Sequence, residues 1–270
     1  MSRIAFVKAH ANGNDFLIME DSVTQGRHAA LARKLCARHT GVGADGIEFL
    51  ERRPDGKFFL RLFNADGSEA ELSGNGTRCV AAWLAHNEGL EEVAFGTHGG
   101  VRTCRVIRRE RAAWWIESGM GVPKVMPRKI EIAGVGVIDG AMVNVGNPHY
   151  VIFTEREDFG SHDLSWQDLG SRIAVDPMFK FGTNVEFVRV LSAKEIAFRI
   201  YERGCGPTMS SGTGTCAASA ASMVLRGTAR ELTAVAPGGA QEVVWQDAAS
   251  ELLLRGPAEI ICSGEAEFGE

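Results

Sequence analysis

The chain has 270 residues, 45% of them hydrophobic and 23% charged, with a formal net charge of -5. That length fits two domains of roughly 130 residues each, and a slightly acidic balance with no basic run beyond Arg102 to Arg111, which alternates with apolar residues like a strand, argues against nucleic-acid or membrane-surface partners. No apolar stretch reaches the length of a membrane span. Cys36, Cys79, Cys104, Cys205, Cys216 and Cys262 lack metal-ligand spacing, so we expect reduced, mostly buried thiols and no metal site.

Residues 1–7 lead directly into a strand-like pattern with no long apolar core or cleavage site, which leads us to expect a cytoplasmic protein. Ile4 to Lys8 and Phe16 to Met19 read as strands around the turn Asn12-Gly13-Asn14-Asp15. His28 to Arg38 carries apolar residues at helical spacing. Strands are expected at Ile47 to Leu50 and Phe58 to Phe63. After the Gly-rich segment Ser73-Gly74-Asn75-Gly76-Thr77, residues Thr77 to His86 form a helix apolar on nearly every side, which implies burial all round. Val101 to Ile107 and Ala113 to Glu117 are strand-like, and the crossing Gly119-Met120-Gly121-Val122-Pro123 marks a boundary. The order then recurs: strands at Met142 to Val145 and Tyr150 to Phe153, a short helix near Leu169 to Ala174, strands at Val185 to Val190 and Glu195 to Ile200. Ser211-Gly212-Thr213-Gly214-Thr215 follows, then a small-residue helix at Cys216 to Leu225 and strands at Gln241 to Trp245 and Glu251 to Leu254.

The second Gly-rich pentapeptide stands 138 positions after the first. Gly13-Asn14-Asp15 is echoed by Gly146-Asn147-Pro148, and Gly43-Ala44-Asp45-Gly46-Ile47-Glu48-Phe49 by Gly182-Thr183-Asn184-Val185-Glu186-Phe187 with one residue deleted. Three echoes in one order imply an internal duplication. The expected fold class is α+β: two pseudo-symmetric domains, each a curved, mostly antiparallel sheet around a central helix. The expected halves are residues 1–118 and 119–257, with a last strand, about 258–270, returning to the first.

A Gly-rich turn that opens a buried helix leaves backbone N–H groups unpaired and aims the positive end of the helix dipole outward, a setting for an anion. Two such turns suit one carboxylate, with Ser73 and Ser211 on opposite faces of the adjacent carbon, the layout of a two-base racemase. The plainer alternative is that both serines only cap their helices. Cys79 and Cys216 follow the loops, where a helix N-terminus is expected to lower a thiol pKa. Asn14, Asn64, Asn147 and Asn184 lie in turn-like segments. With Glu202 and Arg203 they offer donors and acceptors for an amino acid's ammonium and carboxylate groups.

These segments, with Phe63-Asn64-Ala65-Asp66-Gly67-Ser68-Glu69, Gly146-Asn147-Pro148-His149 and Glu202-Arg203-Gly204, resemble the diaminopimelate epimerase family from residue 3 to about residue 226. The resemblance implies an epimerase that needs no cofactor and interconverts LL- and meso-diaminopimelate in lysine and cell-wall precursor synthesis, as a homodimer. It implies that Asn14, Asn64, Asn147, Asn184, Glu202 and Arg203 bind substrate. Gly74, Asn75, Gly212 and Thr213 would form the carboxylate cradle, and His149 and Glu202 would tune the catalytic pair.

The departure is at Ser73 and Ser211, where the family carries cysteine. A thiol titrates near 8.5 and an alcohol near 15.7, so an alkoxide is harder to make than a thiolate by about 7 pKa units, ~10 kcal/mol before help from the site. Half of that slows a reaction roughly a thousandfold or more. Both a deliberate cysteine replacement in an intact pocket and a natural serine lineage keep a folded, amino-acid-recognising site. Pro207 and Gly46 are smaller departures that bear on specificity. The alternatives are a racemase for another amino acid on the same scaffold, which the four asparagines and Arg203 argue against, and a non-catalytic amino-acid-binding protein.

Overall fold

The computed structural model describes residues 2–268; residues 1, 269 and 270, the last two within the expected final segment, lie outside the described residues. The elements in chain order are β1 (Ser2–Ala11), β2 (Asn14–Glu20), α1 (His28–Leu35), β3 (Gly46–Arg52), β4 (Phe58–Asn64), β5 (Glu69–Ala70), α2 (Gly74–Glu88), β6 (Glu92–Thr97), β7 (Gly100–Glu110) and β8 (Ala113–Gly119). They continue with β9 (Lys124–Ile132), β10 (Gly136–Asn144), β11 (Pro148–Phe153), α3 (Trp166–Ala174), β12 (Asn184–Ser192), β13 (Glu195–Glu202), β14 (Gly206–Thr208), α4 (Gly212–Leu225), β15 (Glu231–Ala236), β16 (Gly239–Val244) and β17 (Leu253–Phe268). The chain divides into one unit of Met1–Ser118 with Gly256–Glu270 and a second of Gly119–Arg255.

In the first unit, β1 pairs with β2, β2 in parallel with β3, β3 with β4, β4 in parallel with β6, and β6 with β7. β7 pairs with β8, β8 with β17, and β17 returns to β1. The hairpin between β1 and β2 turns on Asn12 and Gly13, both at positive φ (53° and 81°), the conformation a two-residue turn needs to match strand twist. The second unit repeats the order. β10 pairs with β11, β11 in parallel with β12, β12 with β13, β13 in parallel with β15, and β15 with β16.

Each unit wraps its sheet around one helix. Val80, Ala81, Ala82 and Leu84 of α2 pack with Phe16, Ile18, Leu62 and Phe95, while Cys216, Ala217, Ala218, Ala220 and Ala221 of α4 pack with Val143, Val151, Phe198 and Leu254. The enclosed middle of α4 is built of small residues, Ala217 to Ser222, all buried, whereas α2 also buries the long Arg78. Among the described residues no helix is long and apolar enough to cross a membrane.

The structure corrects several sequence expectations. α2 and α4 begin at Gly74 and Gly212 rather than at Thr77 and Cys216, because the Gly-rich pentapeptides are the first helical turns and not preceding loops. α1 ends at Leu35, short of Arg38. β5, β6, β9, β14 and β15 were not expected; β9 exposes Lys124, Pro127, Arg128 and Lys129, so the hydrophobic alternation that marks a strand is missing there. The expected strand at Glu251 to Leu254 and the final returning segment are joined in a single strand, β17.

Candidate active site

The two serines occupy identical places. Ser73 is the N-cap of α2, its Oγ accepting from the Gly76 N–H at 3.0 Å, and Ser211 is the N-cap of α4, accepting from the Gly214 N–H at 3.3 Å. Thr77 and Thr215 repeat one another too, each hydroxyl donating to the carbonyl of its capping serine. The first turns therefore present backbone donors and the positive end of a helix, with a side-chain oxygen at the lip.

Around Ser73 the polar groups form one relay within the first unit. Arg78, fully buried, donates from Nη2 to Asn75 Oδ1 (2.6 Å), and Asn75 Nδ2 donates to Asn14 Oδ1 (3.1 Å). Asn14 Nδ2 in turn donates to Asp45 Oδ2 (2.7 Å), and Arg38 bridges Asp45 and Asp15. Burial works against an ionised Asp15, yet the hydrogen bonds from Arg38 and Lys8 outweigh it and hold its pKa below the usual carboxylate value. Asn75 is only 1% exposed, so its side chain holds Asn14 in place while its backbone lies in the first turn of α2. Asn64, at the end of β4, donates to Ser68 Oγ (3.0 Å) and has no side-chain hydrogen bond to this relay among the described residues.

Around Ser211 the relay has other members. Ser211 Oγ lies 3.4 Å from Thr213 Oγ1, which receives a bond from Asn147 Nδ2 at 3.4 Å. Asn147 Oδ1 faces His149 Nε2 at 2.9 Å, and an amide oxygen can only accept, so Nε2 carries a proton. The other ring nitrogen, Nδ1, is 2.6 Å from Glu186 Oε1 with both side chains fully buried, and burial pushes the Glu186 pKa up. Asn184 donates to the Pro148 carbonyl and accepts from the Arg203 N–H (2.9 Å), Arg203 Nη1 donates to the Phe181 carbonyl, and Glu202 accepts from Thr208 Oγ1 (2.5 Å).

The cysteine expectation fails at Cys79. It lies more than a turn inside α2 and is wholly enclosed, so burial pushes its pKa up instead of the helix lowering it. Cys216 is buried as well, and none of the six cysteines forms a disulfide among the described residues.

The family model described as diaminopimelate epimerase matches residues 6–126 and 141–261, one match in each half. A curated diaminopimelate epimerase of Synechocystis sp. is 34% identical over 287 aligned residues, covering 98% of this chain and 99% of the relative. That of Pelotomaculum thermopropionicum is 36% identical, covering 97% and 99%. The chain belongs to the diaminopimelate epimerase family. Two solved structures share its fold at low identity. A hydroxyproline epimerase from Agrobacterium vitis has a TM-score of 0.75 at 13% identity, with 98% of this chain and 91% of that one covered. A PhzF-family phenazine biosynthesis protein from Bacillus anthracis has a TM-score of 0.73 at 15% identity, with 99% and 100% covered. The α+β fold of two duplicated halves, each a mostly antiparallel sheet around one helix, is thus shared with these two solved structures.

Sequence reasoning missed Arg78, Asp45, Glu48 and Glu186 in this epimerase framework. A signal existed for the two glutamates: each is a lone carboxylate inside an apolar strand, at the same place of both halves. Asp45 lay in a quoted echo, in a turn whose residues ordinarily bond only to their own backbone.

Proposed function

We propose that this chain binds diaminopimelate as an LL/meso epimerase, with Ser73 and Ser211 at the two positions from which a proton leaves and reaches the α-carbon, and with turnover slowed or lost because both are hydroxyls. The observation that carries the reading is the full-length match to diaminopimelate epimerases from several lineages. Asn14, Asn64, Asn147, Asn184, Glu202 and Arg203 recognise the two amino-acid ends of the substrate. The first turns of α2 and α4, through Gly74, Asn75, Gly212 and Thr213, hold the carboxylate beside the reacting carbon. His149 and Glu202 tune the acid and base. The protein works without an added cofactor, as a cytoplasmic homodimer.

Each hydroxyl accepts an N–H bond from its own helix, which favours an alkoxide over a free alcohol, but one neutral donor offsets only part of a gap of ~10 kcal/mol. The experiment is deuterium incorporation at the α-carbon of LL-diaminopimelate in heavy water. The Ser73→Cys, Ser211→Cys double variant should gain at least about a thousandfold over the parent chain, and each single variant much less, because removal and delivery need one competent group each. A parent rate near 10 per second, ordinary for enzymes, would refute the account of the serines as impaired bases. Tight binding with no exchange even in the double variant would leave a non-catalytic amino-acid-binding protein.

A further inference from the structure

The same strand of each unit carries one buried glutamate at the same register. In the second unit His149 stands opposite Asn184 and Glu186 follows two residues on; in the first, Phe16 stands opposite Gly46 and Glu48 follows two residues on. Glu186 has His149 as its partner. Glu48 has Phe16 in the corresponding place, is only 1% exposed, and its Oε1 has no hydrogen-bond partner among the described residues.

Glu48 is aimed at the first turn of α2. A Cβ added to Gly76 would overlap the Glu48 carboxyl, so the glycine is there to admit it. In α4 the carboxyl is not the closest group: a Cβ on Gly214 would stand 2.5 Å from Ile200 Cδ1 and 3.1 Å from Glu186 Oε1. The flanking strands set Ile18 and Leu62 beside Glu48. Cys79, next to Arg78 on α2, is acted on by Arg78, by Glu48 and by Asp15 of β2, whereas burial alone acts on Glu48. Arg78 turns its Nη2 toward Asn75 and Asn12, Asp15 is engaged by Arg38 and Lys8, and no ion pair reaches Glu48 among the described residues.

We propose that Glu48 is a positioning residue that serves in its uncharged form, filling the space behind the first turn of α2 so that the N–H groups and dipole of that turn remain available to the substrate's carboxylate. This rests on the epimerase reading above. A buried carboxyl that no ion pair reaches avoids ionisation. Consistent with that, burial pushes its pKa up to about 8. Once ionised, it competes with the substrate for the same helix end.

Two measurements on the full chain test this. Amide resonances of Gly74, Asn75 and Gly76 followed from about pH 6 to 10 should show a titration step that Glu48→Gln and Glu48→Met abolish, the apolar Met variant guarding against a Gln that fails to pack. A step that persists in both variants, or no step in the parent chain, overturns the proposal. In calorimetry with meso-diaminopimelate, the parent's affinity should fall between pH 7 and 9.5 by about fivefold or more beyond any fall in Glu48→Gln. An equal fall in the two proteins counts against Glu48. No binding by either protein at any pH instead sinks the epimerase reading, and the amide titration alone then decides the state of Glu48.

Discussion

Glu48 is a carboxyl kept from water, and proton linkage makes its protonation a matter of stability. Its folded pKa, about 8, lies above its ordinary value of 4.5, so folded chains retain a proton that unfolded chains have released. The benefit is complete below about pH 4.5 and is lost as the pH rises to about 8, at ~1.4 kcal/mol per pH unit if nothing else titrates. Glu48→Gln should therefore unfold at the same denaturant midpoint, or a lower one, near pH 4, yet lose less stability than the parent between pH 5 and 8. Parallel midpoint-against-pH curves for the two proteins would show that the carboxyl is already ionised in the fold. At this scale the sequence was legible where residue type dictates geometry. Asn12 and Gly13 take the positive φ their identities favour, and Ser73 and Ser211 lie where a helix needs a cap. It was not legible where a polar residue is defined by tertiary company: nothing local distinguishes Asn75 turned inward to Arg78 from an exposed loop amide.

The helices α2 and α4 each tie a capping bond to the proposed reactive atom. Because Ser73 Oγ accepts from Gly76 and Ser211 Oγ from Gly214, Ser73→Ala or Ser211→Ala should each cost about 1 kcal/mol of stability in chemical denaturation. An unchanged midpoint in both variants would mean that water replaces the cap at no cost. Sulfur is a weaker acceptor than oxygen, so the cysteine pair that restores proton transfer gives up part of this capping. Helix starts were misread in the sequence for the same reason. Glycines at Gly74, Gly76, Gly212 and Gly214 suggest a loop by composition, whereas Gly76 is required by the carboxyl behind it and Gly214 by the Ile200 side chain and Glu186. Of the strands missed, β5 and β14 are two and three residues long and β9 is largely exposed, while β6 and β15 alternate over only six residues and are specified by pairing with their neighbours.

Over the whole molecule, the order of elements was legible because the chain carries it twice, and the repeat of β2 with β3 and β11 with β12 as parallel neighbours gives the echo a physical form. That β17 runs unbroken from Leu253 was not, since the segments at 251–254 and about 258–270 read as separate strands; Ser263, Gly264, Glu265 and Glu267 are paired with β1. That strand has a bearing on how the protein comes into being. The second unit is an unbroken stretch, whereas the first needs residues 256–268, of which 259–268 lie along β1, and cannot be completed until the ribosome has passed them. The half made first is thus the half finished last, with β1 waiting as an unpaired edge while its partner is still being translated. A chain stopped after Arg255 should retain protease-resistant residues 119–255 while residues 2–118 are digested. Equal resistance of both segments would show that the first unit closes without its returning strand.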